Sequence, residues 1–302
     1  MVNKLRAAAR HATATLETGP IVLQPRDVRF DWTGLTLRWI PGEPLVSHTL
    51  SVLHLLLPEG ENWFVEVFKR ALPLIRDDSL REDVIGFIGQ EAIHAAAHQG
   101  VLDYYTSQGV DTSRYIRQIE WLFHRILAGK PGLSPAGDRE QLIEHVAIVA
   151  AIEHFTAMMG AWALDATALE KTELNPVMLD LIRWHGSEEV EHRSVAYDLL
   201  QHLDPGYARR IRAMFIVVPV LAYMWVRGAL FFAQADHDDP PFTMSWAGYI
   251  RAARRGLLPS PRALGRCALR YFKPGFHPSQ DYSTAKCVAY LATSPAARAA
   301  AR

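Results

Sequence analysis

The chain has 302 residues, 49% of them hydrophobic and 21% charged, enough apolar material for a large packed core. A formal net charge of zero removes any global pull toward nucleic acid or acidic partners. Two cysteines, Cys267 and Cys287, are too few for a disulfide framework, and no Cys-x-x-Cys offers a structural zinc site.

Residues 1–20 read as poorly ordered. Lys4, Arg6 and Arg10 lie in a segment with no apolar stretch of the secretory kind, so the expected location is the cytoplasm. Residues 21–44 are rich in Pro and Trp, with β-like runs such as Val28 to Trp32, and read as an extended arm or small hairpin. A helical pattern begins near Leu45. Ser47 to Leu57 is one apolar stretch, ended or kinked at Pro58, and Glu59 to Leu74 continues it. After a turn near Asp77, Ser79 is placed to cap a helix over 80–107, closed by Gly109. Further helices are expected over 115–128, 138–169 and 176–202, the last stopped by Asp204-Pro205-Gly206. A very apolar helix follows over 207–235, and the chain beyond Asp236 reads as loop-rich and basic. These elements divide into an arm (1–44), a helical bundle (45–206) and an apolar helix with a basic tail packed on it (207–302). The fold class is all-α.

Chemistry concentrates in two Glu-x-x-His motifs, Glu91/His94 and Glu189/His192. Residues three apart share a helix face, so each motif aims a carboxylate and an imidazole at one point. Two such helices, with one Glu from each of two more, form the di-iron or di-manganese site of a ferritin-like bundle, the fold expected for residues 45–206. His98 extends the first motif forward and His185 extends the second backward, each on the same face. Glu188 competes with Glu189 for the inward position. Glu153 lies inside the apolar run 146–163, while His154 and Glu144 point elsewhere around that helix. On the first helix the candidates are Glu61 and Glu66. Counted from a turn at Asp77, Glu61 is roughly 3 Å off the level of Glu91 and Glu66 roughly 4.5 Å, a slight preference for Glu61. An isolated Glu-x-x-His is usually surface, but Glu91 and Glu153 sit among apolar neighbours, where an unpaired carboxylate is costly. His54, His124, His145 and His202 read as structural or exposed.

Three runs resemble the bacterial family labelled "predicted metal-dependent hydrolase": Pro58-Glu59-Gly60-Glu61-Asn62-Trp63-Phe64, Phe87 to His98, and Trp184 to His192. The resemblance covers roughly residues 25–270, and its Gly-Glu before an aromatic pair implies Glu61 rather than Glu66. The His-x-x-x-Glu-x-x-His of His185, Glu189 and His192 also resembles the di-iron N-oxygenases of the p-aminobenzoate type. That pattern implies seven ligands, Glu61, Glu91, His94, Glu153, His185, Glu189 and His192, with His98 having no counterpart.

The leading expectation is a dinuclear carboxylate enzyme with two metal ions, iron first and manganese or zinc as alternatives. It would be an O₂-dependent oxidoreductase acting on an apolar or amphipathic small molecule, served by an electron donor protein. The first alternative is a hydrolase using a metal-bound hydroxide on the same ligands. The second is a non-catalytic metal-binding or membrane-associated protein. The apolar helix and Arg-rich segment, 213–273, read as a core or channel wall, a peripheral membrane contact or a homodimer interface. No nucleic-acid motif is present.

Overall fold

The computed structural model describes residues 22–129 and 132–301, and every structural statement concerns those residues. The expectation for residues 1–20 lies outside them, and the loop at 129–132 is described only in part. All regular structure there is helical, as an all-α bundle requires, and no strand is present among the described residues.

Four long helices carry the architecture: α1 (Pro44–Ala71), α2 (Asp78–Ser107), α4 (Pro135–Asp165) and α5 (Pro176–Glu191). α1 pairs with α2 and α4 pairs with α5, and the two hairpins face each other across the core. Their starts follow from local sequence. Asn175 Oδ1 accepts from the amides of Val177 and Met178 at 3.0 Å each, ahead of Pro176 at the first helical position. Ser134 Oγ caps α4 in the same way, accepting from Gly137 N at 3.2 Å. The cap of α2 is Asp77, accepting from Leu80 N at 2.9 Å, not Ser79, which lies inside the helix.

Several expectations are corrected. α1 runs unbroken through Pro58, so the two predicted segments are one helix. A proline inside a helix removes one hydrogen bond, and the tertiary burial of α1 on both sides of Pro58 outweighs that loss. The helix predicted over 115–128 stops at Trp121 as α3 (Ser113–Trp121) and continues as a π turn, Leu122–Ile126. The helix predicted over 176–202 breaks after Glu191, and α6 (Val195–Leu203) resumes beyond a bend that leaves His192 as the cap residue. The region beyond Asp236, expected to be loop-rich, holds α8 (Trp246–Arg254), α9 (Pro261–Tyr271), α10 (Thr284–Leu291) and α11 (Pro295–Ala300). α7 (Tyr207–Ala235) forms as expected and packs on α1 and α4.

The arm is extended rather than a hairpin. It lies along α2, where Leu23 and Pro25 occupy the space a Cβ would fill at Gly86 and Gly89. Further on, Trp39 Nε1 donates to Ser51 Oγ at 3.0 Å and Asn175 N donates to Trp39 O at 2.8 Å, tying the arm to α1 and to the start of α5.

α4 and α5 approach each other backbone to backbone at a pair of glycines. A Cβ on Gly160 would lie 2.2 Å from Gly186 O, and one on Gly186 would lie 2.6 Å from the Gly160 Cα. Both obstacles are backbone, so no side chain can rotate out of the way. This contact sets the spacing of the helices that carry Glu153 and His185. Gly160→Ala and Gly186→Ala should each cost about 1–3 kcal/mol by forced helix separation, read as a lowered melting temperature with reduced metal stoichiometry. Unchanged melting and metal content in both variants would show that the contact does not set the spacing.

Candidate metal centre

Each of the four long helices turns acidic or imidazole side chains into the core. α1 contributes Glu61, α2 contributes Glu91 and His94, α4 contributes Glu153, and α5 contributes His185 and Glu189, with His192 at its end. All seven are buried. Glu66 is exposed on the opposite side of α1, which settles the choice that helix levels left nearly even.

The donor atoms crowd together. His192 Nε2 lies 3.1 Å from Glu153 Oε2, 3.2 Å from Glu91 Oε1 and 3.4 Å from Glu189 Oε2. His185 Nε2 is 2.6 Å from Glu189 Oε1 and 3.5 Å from Glu61 Oε1, and His94 Nδ1 is 3.5 Å from the same Glu189 oxygen. Two groups result, each with donor atoms mutually within 4.8 Å: Glu61, His94, His185 and Glu189, and Glu91, Glu189 and His192. Glu189 belongs to both, and Glu153 adjoins the second through His192.

These contacts are close but mostly not hydrogen bonds. Both oxygens of Glu61 and of Glu91, one oxygen each of Glu153 and Glu189, His94 Nδ1 and His192 Nε2 are buried without a hydrogen-bond partner. So many orphaned acceptors in one dry place would be prohibitive for a finished apolar core. Two donors holding one ion at ~2.1 Å lie about 3–3.4 Å apart in octahedral or tetrahedral geometry, and His192 Nε2 stands at such distances from oxygens of Glu91, Glu153 and Glu189. The donor set of carboxylate and imidazole suits iron, manganese or zinc. The residues present therefore fit metal ions.

The other ring nitrogens and the remaining candidates form an outer layer. His94 Nε2 meets Glu188 Oε2 at 3.0 Å, and Glu188 also accepts from Trp184 Nε1 at 3.1 Å and from Arg26 at 2.6 Å. Glu188 thus holds the back of His94 rather than facing the cluster, and Glu189 takes the inward position. His192 Nδ1 meets Gln90 Oε1 at 3.1 Å. His98 is not in the cluster either: its Nε2 meets His185 Nδ1 at 2.6 Å, and its Nδ1 meets His54 Nδ1 at 2.7 Å. A ring held on its far nitrogen by a carboxylate, amide or imidazole is fixed in orientation and tautomer, as metal-binding histidines require. His154 turns away, with Nε2 2.8 Å from Cys267 O, and Glu144 pairs with Arg209 and Arg212.

The residues that sequence reasoning missed are Arg26, Gln90, Trp184 and Thr156, together with His54, which it had set aside as structural. Thr156 Oγ1 lies 3.4 Å from Glu153 Oε1. Trp184 stands one turn before Glu188, a spacing visible in the sequence, whereas nothing in the irregular arm marks Arg26.

Electrostatics divide the cluster. Burial, then the charges of Glu189 and Glu153, push Glu61 well above the ordinary carboxylate range. Burial, then Glu153 and Glu189, do the same to Glu91. Burial, then Glu189, raises Glu153 to about 7. For Glu189 burial acts upward too, but His192 and His185 outweigh it and hold that carboxyl well below its usual range. His192 is raised despite its burial by Glu189, Glu153 and Glu91. His185 is lowered to about 4 by burial and by His94. Without ions the cluster therefore keeps protons on some carboxylates and on His192.

The chain matches a family described as predicted metal-dependent hydrolase over residues 24–281, and it belongs to that family. No curated protein and no solved structure matches it.

An entering ion must displace the protons on Glu153 and His192, so metal affinity should rise as pH rises through about 7. The sign for stability agrees. A carboxyl with a raised folded pKa contributes stability that is present at low pH and lost as pH climbs toward that pKa, and a bound ion replaces the lost proton. The gap in melting temperature between ion-loaded and ion-free protein should therefore widen between about pH 5.5 and 8. Calorimetric titrations in buffers of different ionisation heat should show net proton release, and a pH-independent affinity would contradict this account.

Proposed function

We propose that this family member is a metal-dependent hydrolase whose cluster holds two divalent ions in a ferritin-like bundle, and that its substrate is an apolar or amphipathic small molecule. Membership of a metal-dependent hydrolase family supports the reaction class. The observation that carries the metal reading is the set of orphaned donor atoms contributed by four helices. Glu61, His94 and His185 would hold one ion, Glu91, Glu153 and His192 the other, and Glu189, common to both groups, would join them. The two ions would supply Lewis acidity, lowering the pKa of a water molecule and polarising the substrate bond.

The chain's own residues define what reaches that centre. A chamber beside the cluster is lined by Glu61, His185 and Glu189 at its inner end and by Leu53, Leu57, Phe64 and Phe155, among other apolar side chains, elsewhere. Outside the cluster, among the described residues, no charged side chain lines it, and Thr156 contributes the only hydroxyl. Apolar walls exclude bulk water and select a substrate by shape and hydrophobic area. Thr156 Oγ1, which donates to Glu153 O at 3.1 Å and lies 3.4 Å from Glu153 Oε1, would accept a hydrogen bond from the substrate's polar end. Glu188, Gln90 and His98 keep the three histidines oriented.

A second reading, O₂-dependent oxidation with iron and an external electron donor protein, is favoured by one feature. Outside the cluster the chamber offers, among the described residues, no charged or amide side chain to receive the polar product of hydrolysis, and that lining suits an unactivated apolar substrate.

Metal analysis and reactivity separate the two. On the first reading, protein loaded with zinc or manganese cleaves p-nitrophenyl esters, more readily as the acyl chain lengthens, and the iron-loaded reduced form shows no optical change on adding O₂. Two irons per chain with an oxygen-dependent absorption change and no esterase activity would overturn the hydrolase in favour of the oxidase. Glu189→Gln should lose both ions and reduce activity by about a hundredfold or more, while Glu61→Gln should retain about one ion per chain. If both variants bind two ions normally, the assignment of ligands is wrong.

A further inference from the structure

Two helices are long and apolar enough to cross a membrane, α4 and α7. α4 is mostly buried in the bundle, as a core helix should be. Only 22% of the apolar stretch of α7 is buried. Its outward stripe runs from Phe215 through Ile216, Pro219, Tyr223 and Val226 to Leu230, about 22 Å of helix. Phe215 is 68% exposed and Tyr223 62%, and the neighbouring α9 adds Leu269 at 68%. A continuous apolar surface of this length on a soluble face is costly unless something covers it.

The surroundings select the cover. Residues 205–235 and 240–280 contain no Asp or Glu. Arg114, Arg117 and Arg227 border the stripe in a groove with Pro219 and Tyr223, and Arg262 and Arg266 are exposed on α9. None of these five has an ion-pair partner among the described residues. A second copy joined through the same face would set arginine against arginine across a two-fold axis. An anionic lipid surface would neutralise them while burying the stripe. α7 cannot leave the bundle cheaply to span a bilayer. Trp225 Nε1 donates to Thr49 O at 2.9 Å, Tyr115 OH donates to Met224 O at 2.6 Å, and Val217 and Phe232 are buried against the core.

A second apolar cavity continues the argument. It lies between α7 and α9, with the exposed Ala222 and Gly265 at its rim, and it shares Leu50, Phe155, Met159, Leu221 and Trp225 with the chamber beside the cluster. The two apolar cavities thus share one wall of side chains, and the second lies on the same face as the stripe.

We propose that the face formed by α7 and α9 lies flat on an anionic lipid bilayer, stripe inserted and arginines at the headgroups, with the cavity mouth turned toward the acyl chains. This attachment does not depend on which reaction the cluster performs. The test is co-sedimentation of the full chain, with and without zinc, with vesicles of phosphatidylcholine alone or mixed with phosphatidylglycerol. Binding is expected only to the mixed vesicles, and should weaken by about fivefold for each of Arg227→Gln and Arg266→Gln and be lost in the double variant Ile216→Asp/Tyr223→Asp. Those positions are exposed, so circular dichroism and metal content should stay unchanged and separate this result from failure of the metal centre. Equal binding by wild type and the Asp double variant would overturn the proposal. So would a wild-type dimer in gel filtration that the Asp substitutions convert to monomer without any vesicle binding, or retention on membranes after an alkaline carbonate wash, which a spanning helix would give.

Discussion

Four carboxylates and three imidazoles within a few ångströms of one another, away from water, are the constraint around which this protein is organised. Bare charges of one sign in a low-dielectric interior repel strongly, and each unsolvated carboxylate costs several kcal/mol, about what a whole domain has to spare. Such a cluster persists only with cations or protons among the oxygens. Burial and mutual repulsion, which push Glu61, Glu91 and Glu153 upward, favour the proton solution wherever ions are absent. The orphaned oxygens show how much the cation solution would relieve.

Much of the remaining structure serves to hold that arrangement still. The glycine contact between α4 and α5 brings two donor-bearing helices unusually close. The arm contributes Arg26, which binds Glu188 and Glu191 and so fixes the outside of the site from a segment that belongs to no helix. His98 and His54 continue inward from His185 as a buried row of rings, each using one nitrogen on the next. Polar groups placed in a core at this density are tolerated because nearly every outward-facing atom has a partner, while the inward-facing ones are left open together.

The sequence made the centre legible because helical periodicity is rigid. Three-residue spacing alone put Glu91 with His94 and Glu189 with His192, and apolar flanks marked Glu91 and Glu153 as interior. Angular position could not separate Glu188 from Glu189 or Glu61 from Glu66 with certainty, since a helix face is broad; tertiary packing decided both. Arg26 and Gln90 escaped notice because their roles depend on contacts across 162 and 102 residues, which no local pattern encodes. The break after Glu191 was invisible because apolar periodicity continues into α6. The C-terminal helices were missed for a different reason. Their apolar stripes are thin, but Ser260-Pro261 and Ser294-Pro295 are recognisable helix starts, and Ser260 and Ser294 do accept from Ala263 N and Ala297 N.

The number of carboxylates in the cluster has a consequence of its own. If the cluster is filled as proposed, four ionised Glu side chains and two divalent ions, with the histidines neutral, would sum to no net charge. A neutral centre at the end of an apolar chamber exerts no long-range attraction on anions or cations, so it discriminates by solvation: a charged molecule would surrender its hydration and gain no counter-charge. Uncharged molecules enter at little cost. A reaction that creates a charge, such as release of a carboxylic acid, turns an admissible guest into an inadmissible one, and the cost of desolvating the new charge drives the product back toward water. Departure of product would in this way be built into the charge balance of the proposed site rather than into any moving part.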